Sequence, residues 1–235
     1  MNLQNAKALI TGGSSGIGYE IARQMIAKGA KVAITGRNAE KLQQAAKELG
    51  AIGFVADVSD EKTMQEVVKN CITQLEGLNV LINNAAYGYF SSITEIDTKE
   101  FNDLIATNVT GVMITTRECV KHFIAQQSGN IINISSTAGR RGFANGSPYV
   151  ATKFALAGMT ECWRDELRKH NIRVMLINPS EVQTNFVVNS GRPARPFNET
   201  KLQATEIAHT AIAMLEMEDR GFITEATVWA TNPIN

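Results

Sequence analysis

Short apolar runs alternate with longer amphipathic segments along all 235 residues of the chain. The runs stand at "KALIT" (7–11), "KVAIT" (31–35), "GFVA" (53–56), "NVLIN" (79–83), "NIINIS" (130–135), "IRVMLIN" (172–178) and "ITEATVW" (223–229). Each has strand length, and most are continuous in hydrophobicity rather than alternating, as expected of strands covered on both faces. Between them, apolar positions recur at helical spacing near 16–28, 38–49, 61–76, 98–127, 149–170 and 200–218. This alternation predicts βαβ units, and right-handed crossovers make them a doubly wound, mostly parallel α/β sheet of about seven strands with helices on both faces.

No linker, repeat or low-complexity segment divides the chain, so residues 1–235 read as one Rossmann-type domain that includes its own site. One interval, "NSGRPARPFNET" (189–200), is loop-like, with two prolines, a glycine and two arginines. It reads as a flap or as a solvated connection.

Composition narrows the function. Hydrophobic residues make up 44% of the chain, enough for a sizeable core. Twenty-three basic residues balance 23 acidic ones, which argues against nucleic acid or an anionic membrane as the main partner. Cys71, Cys119 and Cys162 are far apart and show no paired spacing, as expected of reduced cysteines in a cytoplasmic protein. His122, His170 and His209 are equally scattered, so no metal site is expected. The first strand begins by Lys7 without a signal-like segment, and no apolar run is long enough to span a bilayer.

The chemistry begins at "TGGSSGIG" (11–18), between the first strand and the first helix. Gly12, Gly16 and Gly18 remove side chains where backbone must turn tightly and approach a pyrophosphate. The helix that follows offers free N–H groups and the positive end of its dipole. The second strand ends in "AITGRNAEKL", with Gly36 where NAD-binding folds place a carboxylate and Arg37 directly after it. Glycine leaves room for a 2′-phosphate and a guanidinium can pair with it, so NADP(H) is expected over NAD(H). The competing arrangement has Arg37 solvated and Glu40 on the ribose. In "SPYVATKFALAGM" (147–159), Tyr149 and Lys153 lie four residues apart, on one face of a helix. Alone, that pair is equally compatible with an ordinary solvated face.

Taken together, the motifs resemble the short-chain dehydrogenase/reductase family, classical type, over essentially the whole chain, with members acting on 3-oxoacyl groups the nearest in character. The resemblance rests on "TGGSSGIG", "NNAA" (83–86), Asn108 in "ATNVTG", Ser136 in "NISSTAG", Tyr149 with Lys153, and "NPSEVQT" (178–184). It implies an NADP(H)-dependent oxidoreductase that interconverts a carbonyl compound and a secondary alcohol, with Asn108, Ser136, Tyr149 and Lys153 as its catalytic residues. Tyr149 would be the acid–base, its pKa lowered by the Lys153 ammonium. Ser136, rather than its neighbour Ser135, would hold the substrate oxygen, and Asn108 a water that links Lys153 to solvent, a role compatible with capping or kinking its helix. For the cofactor, the resemblance adds Ser14, Ser15 and Ile17 in the loop, Asp57 and Val58 after the third strand, and Asn83 and Ala85 after the fourth. Pro179, Val182 and Thr184 would complete the nicotinamide end, followed by a substrate flap over 185–200. Asp57 is alternatively a helix cap.

Tyr87, Tyr89, Phe143 and Phe186 flank these elements and are candidates for an apolar substrate pocket around Ser136 and Tyr149. The substrate is read as a 3-oxoacyl group or a small ketone; "IAQQSGN" supplies no arginine to grip an acidic carrier protein. A homodimer or homotetramer is expected through helices 98–127 and 149–170, where Val109, Val112, Met113 and Ile114 cluster. The chain departs from the family pattern at Ala86 and Ser180, where glycine is usual, and in lacking an Asp-Gly-Gly tail. The alternatives are a non-catalytic nucleotide sensor and an NAD-dependent alcohol or sugar dehydrogenase.

Overall fold

The computed structural model describes residues 1–194 and 196–232; Arg195, within the expected flap, and the last three residues lie outside the described residues. Seven strands form one sheet: β1 (Lys7–Ile10), β2 (Lys31–Gly36), β3 (Ile52–Val55), β4 (Val80–Asn83), β5 (Gly129–Ile134), β6 (Ile172–Pro179) and β7 (Glu225–Val228). Their order is β3-β2-β1-β4-β5-β6-β7, and every pairing is parallel. Chain direction across the sheet therefore reverses between β1 and β4, which opens a crevice at their carboxyl ends.

Strand alternation divides the core into two layers. Ala8, Ile10, Ile34, Ile82, Ile132 and Met175 face one side, against α1 (Gly16–Ala27), α2 (Ala39–Leu49) and a C-terminal helix over Ala204–Glu216. Leu9, Ala33, Leu81, Ile131 and Val174 face the other, against α3 (Glu61–Gln74) and a helix over Gly111–Gln126. The helices begin where the sequence supplies caps. Asn38 accepts from the Lys41 N–H ahead of α2, and Asp60 from the Thr63 N–H ahead of α3. Asp57 is therefore not the cap of α3.

The expected helix over 98–127 is two helices. After α3, α4 (Thr98–Ile105) passes through a five-residue π turn, Ala106–Thr110, into α5 (Gly111–Gln126). The next helix, α6 (Ser147–Leu167), starts with Pro148 in its first turn, where a missing N–H costs nothing. In the expected flap, α7 (Phe186–Asn189) forms a single turn, and α8 (Ala204–Glu216) begins later than its apolar pattern suggested. The residues just before α8 are occupied elsewhere: Leu202 bridges Val182, and the Gln183 N–H donates to the Leu202 carbonyl at 2.8 Å.

Val112 and Ile114, expected at a subunit surface, are buried within the protomer, because α5 packs them against its own neighbours. Phe154 on α6 remains 47% exposed, whereas Met159 and Trp163 on the same helix are partly buried. No helix among the described residues is long and apolar enough to cross a membrane.

Candidate active site

The crevice at the β1/β4 reversal is a cavity of about 730 Å³ that runs from the β2–α2 turn to α7. Its floor is the turn after β1. Gly12 and Gly16 have left-handed backbone (φ 65° and 59°), and a Cβ on Gly12 would lie 2.9 Å from Ala85 Cα. Thr11 joins the two halves of the sheet: its hydroxyl accepts from the Asn84 and Ala85 N–H groups at 3.0 and 3.1 Å. Asn84 answers by donating to the Thr11 and Gly12 carbonyls, both at 3.0 Å.

Ser14, Ser15, Gly16 and Ile17 line the cavity, at the start of α1. Gly18 lies beneath them, where a Cβ would strike Asn84 Nδ2 and the Gly12 carbonyl. Arg37, Asp57, Val58 and Ala85 line the arm that reaches the β2–α2 turn. Asp57 Oδ1 accepts from the Ser59 N–H and hydroxyl, and Oδ2 lies 3.9 Å from the Arg37 guanidinium. With Arg37 67% exposed, that ion pair contributes little and leaves the guanidinium free to turn. Glu40 sits exposed on α2 and does not line the cavity.

Asn83 does not reach the cavity. As the last residue of β4 its side chain points into the layer under α5, where Nδ2 donates to Thr116 Oγ1 (2.9 Å) and Asn133 Oδ1 (2.8 Å). Asn133 in turn donates to Thr160 Oγ1 at 2.8 Å, so a buried polar ladder ties β4 and β5 to α5 and α6. The residue at the cavity is Asn84, one step on, where alternation reverses the side.

At the far arm, Ser136, Tyr149 and Lys153 come together, all lining the cavity. Ser136 follows β5, and its hydroxyl accepts from the Ala138 N–H at 3.1 Å. Ser135 also borders the cavity, but its Oγ is buried without a partner, facing Gly139. Lys153 is 3% exposed; its Nζ donates to the Ile134 carbonyl at 3.0 Å and lies 5.6 Å from the Tyr149 ring centroid. Burial pushes the Lys153 ammonium down to about 8. Burial likewise raises the Tyr149 phenol above its ordinary value, against the opposing pull of a hydrogen bond with Ser136 and the charge of Arg192. The expected lowering by Lys153 is not among these effects, and desolvation sets the direction.

Asn108 is buried in the π turn and borders no cavity surface. Its side chain clamps the backbone of Tyr87, accepting from the N–H at 3.1 Å and donating to the carbonyl at 2.9 Å. It also reaches Thr152 Oγ1 at 3.2 Å. These bonds use both amide protons and one acceptor position of Oδ1, so the side chain holds the Tyr87 backbone and Thr152 in place. Thr107, beside it, does face the cavity.

Tyr87, Phe143 and Phe186 line the cavity, whereas Tyr89 turns away to accept from the Asp97 N–H at 2.8 Å. Phe90, which no motif or periodicity marks, stands 5.4 Å from the Tyr149 ring and 6.1 Å from Phe143. Phe186 closes on the other side of Tyr149 at 5.6 Å. The departures from pattern carry no strain: neither Ala86 nor Ser180 has left-handed backbone. Pro179, Val182 and Thr184 line the cavity, and Glu181 pairs with Lys201 at 3.2 Å.

This geometry accords with what the chain is similar to. The profile of the family described as short chain dehydrogenase matches residues 6–194. An uncharacterised oxidoreductase of Staphylococcus aureus (strain USA300) is 31% identical over 229 residues, 96% of this chain and 97% of that one. Among solved structures, the closed form of serine dehydrogenase complexed with NADP+ superposes with a TM-score of 0.89 at 26% identity, covering 97% of this chain and 98% of that one. An actinorhodin polyketide ketoreductase variant with NADPH gives 0.87 at 26%, covering 98% of each. The chain belongs to the short-chain dehydrogenase/reductase family. It is an NAD(P)-dependent oxidoreductase, and the glycine turn, with no side chain in the way, fits the dinucleotide that this implies.

The depressed Lys153 has a measurable consequence. The unfolded chain keeps a lysine proton up to about pH 10.4, whereas in the folded protein the group titrates at about 8. Folding therefore carries a penalty below pH 8, on the order of 3 kcal/mol, that fades as pH rises from 8 to 10.5. Lys153→Met is expected to raise Tm at pH 7 by a few degrees, with the gain gone by pH 10. Calorimetry without added nucleotide checks this; a pH-independent difference would contradict it.

Proposed function

We propose that the protein reduces a ketone to a secondary alcohol, or runs the reverse reaction, with Tyr149 as acid–base and NADP(H) as the preferred cofactor. The observation that carries this reading is the convergence of the glycine turn, Arg37 and the Ser136–Tyr149–Lys153 group on one cavity. When bound, the dinucleotide supplies or accepts the hydride. The 12–18 turn, Val58, Ala85, Pro179, Val182 and Thr184 would hold it.

The chain's own groups divide the remaining work. Ser136 accepts a hydrogen bond from backbone and is bonded to Tyr149, and with substrate bound its proton would turn to the substrate oxygen. Burial keeps the Tyr149 phenol protonated, the form that reduction consumes. Lys153, beneath the ring, supports the phenolate once that proton has left. Asn108 holds the 84–90 loop and the start of α6 in register by binding Tyr87 and Thr152. Residues 185–200 act as a flap whose base is pinned by Gln183, bonded to the Asn198 backbone at 2.6 and 2.7 Å.

NADP(H) preference rests on charge. Gly36 presents no carboxylate, Arg37 is held only by a long ion pair, and Glu40 is off the cavity. A 3-oxoacyl group or a small ketone suits the aromatic far arm. Helices α5 and α6, with Phe154 exposed, are the surface through which we propose that protomers associate.

Tyr149→Phe is expected to lower kcat by about a thousandfold while cofactor affinity, read by fluorescence titration, stays close to wild type. Turnover near the wild-type rate would remove Tyr149 from the chemistry, and a wild type inert toward a broad carbonyl panel would favour a nucleotide sensor. Arg37→Ala is expected to cut the NADPH/NADH ratio of kcat/KM by at least about tenfold; an unchanged ratio would free Arg37 from any phosphate role. Light scattering at micromolar concentration should report a dimer or tetramer, and a monomer mass would refute association through α5 and α6.

A further inference from the structure

Among the described residues, four cations line the cavity: Arg37, Arg141, Lys153 and Arg192. Its two carboxylates are already engaged, Asp57 with Ser59 and Arg37, and Glu181 with Lys201. Arg37 stands at the arm that reaches the β2–α2 turn, Lys153 is bonded to Ile134, and Arg141 lies over the Trp229 ring at 5.3 Å on the exposed rim. Arg192 differs from all three. Its guanidinium stacks on Phe90, 4.3 Å from the ring centroid, and Phe90 in turn packs on Tyr149. Its Nε is buried with no hydrogen-bond partner, and no acidic side chain pairs with it among the described residues. A buried, unpaired donor of this kind is costly to maintain, and its cost is recovered only when an anion arrives.

The flap is built to hold this group in place. The Arg192 N–H donates to the Val187 carbonyl at 3.2 Å, just after Gly191 turns the chain with φ 73°. Ser190 accepts from the Gly88 N–H at 3.2 Å and donates to the Phe186 carbonyl at 2.6 Å, tying α7 to the loop that carries Phe90. Gly88 permits the approach, since a Cβ there would meet Phe90 at 2.5 Å and Ser190 Oγ at 2.7 Å. One aromatic ring thus separates a fixed guanidinium from the proposed proton donor.

We infer that the substrate is an oxo acid: a ketone carrying a carboxylate a short apolar spacer away, with Arg192 as the carboxylate-binding and specificity-determining residue. The inference rests on the reading of Tyr149 and Ser136 as the carbonyl end of the site. A single planar guanidinium matches one carboxylate in a bidentate fork. The Phe90, Phe143 and Phe186 rings leave the spacer nothing to hydrogen-bond, which favours methylene groups. The charge of Arg192 also acts on the Tyr149 phenol, as expected of a cation that close to the reacting end.

The test compares 3-oxohexanoate, 4-oxopentanoate and 5-oxohexanoate with their methyl esters as substrates, in wild type and in Arg192→Met. The expected result is that at least one acid is preferred over its ester by at least about tenfold in kcat/KM, and that the variant loses at least about tenfold of that preference. Esters reduced as well as acids, or a variant that lowers both alike, would overturn it. A parallel calorimetric titration of hexanoate and hexanamide into the NADPH-saturated protein separates this inference from the reaction assigned above. If no ketone turns over, hexanoate binding that depends on Arg192 still supports the anion site, and equal binding of both probes refutes it. An NADPH affinity that falls with Arg192→Met as far as the substrate terms would assign the guanidinium to the cofactor, and would equally refute it.

Discussion

The site depends first on how the two halves of the sheet are joined where chain direction reverses. That joint is the Thr11 hydroxyl, which takes two N–H groups from the β4 exit while Asn84 returns two bonds to the β1 exit. Parallel strands splay at such a point, and backbone groups there have no strand partner. Closing them with side chains holds the crevice open at a constant width. The glycine turn on one side and the 84–90 loop on the other are then rigid relative to each other. Everything proposed for the cavity, from Arg37 to Phe90, is measured from that joint.

The second constraint is the cost of burying polar groups beside the chemistry. Asn83, Asn133, Thr116 and Thr160 bond to one another in a ladder that specifies how β4, β5, α5 and α6 sit, although the Asn83 Oδ1 is left buried without a partner. Lys153 and Tyr149 are different: both are driven toward their neutral forms by desolvation. The fold thus holds two titratable groups in a state easily shifted by an added charge, a property useful to a proton-transfer site and unhelpful to stability. The ladder offsets this by keeping the surrounding elements from relaxing around them.

Much of this was legible from residues. Seven apolar runs became seven strands because continuous hydrophobicity in a parallel sheet leaves few alternatives, and "TGGSSGIG" turned as glycines at those positions require. What escaped had weak local signals. Asn83 and Asn84 are identical in type, and only the exact end of β4 decides which faces the crevice. Asn108 read as a relay residue or a helix kink; it does sit in the π turn, but nothing in its sequence context shows that its amide bonds the Tyr87 backbone. Val112 and Ile114 looked like a subunit surface because an apolar helix face does not say which neighbour covers it. Phe90 and Arg192 lie about a hundred residues apart in segments without periodicity, and the Ser190–Gly88 contact helps bring them together.

Leu104, Asn108, Val112 and Thr116 are all buried, and they follow one another at intervals of four. Along an uninterrupted α-helix, three such steps would drift about 120° around the axis and carry Thr116 off the face that Leu104 occupies. The wider turn at Ala106–Thr110 absorbs that drift, acting as a phase adjuster between α4 and α5. The constraint here falls on residue count more than on residue identity. Removing Ala106, Thr107, Val109 or Thr110 would allow a regular helix, and would swing Asn108 away from Tyr87 and Thr152 with its own side chain chemically intact. Length variation at this point of the chain is therefore a more severe change than most substitutions near it.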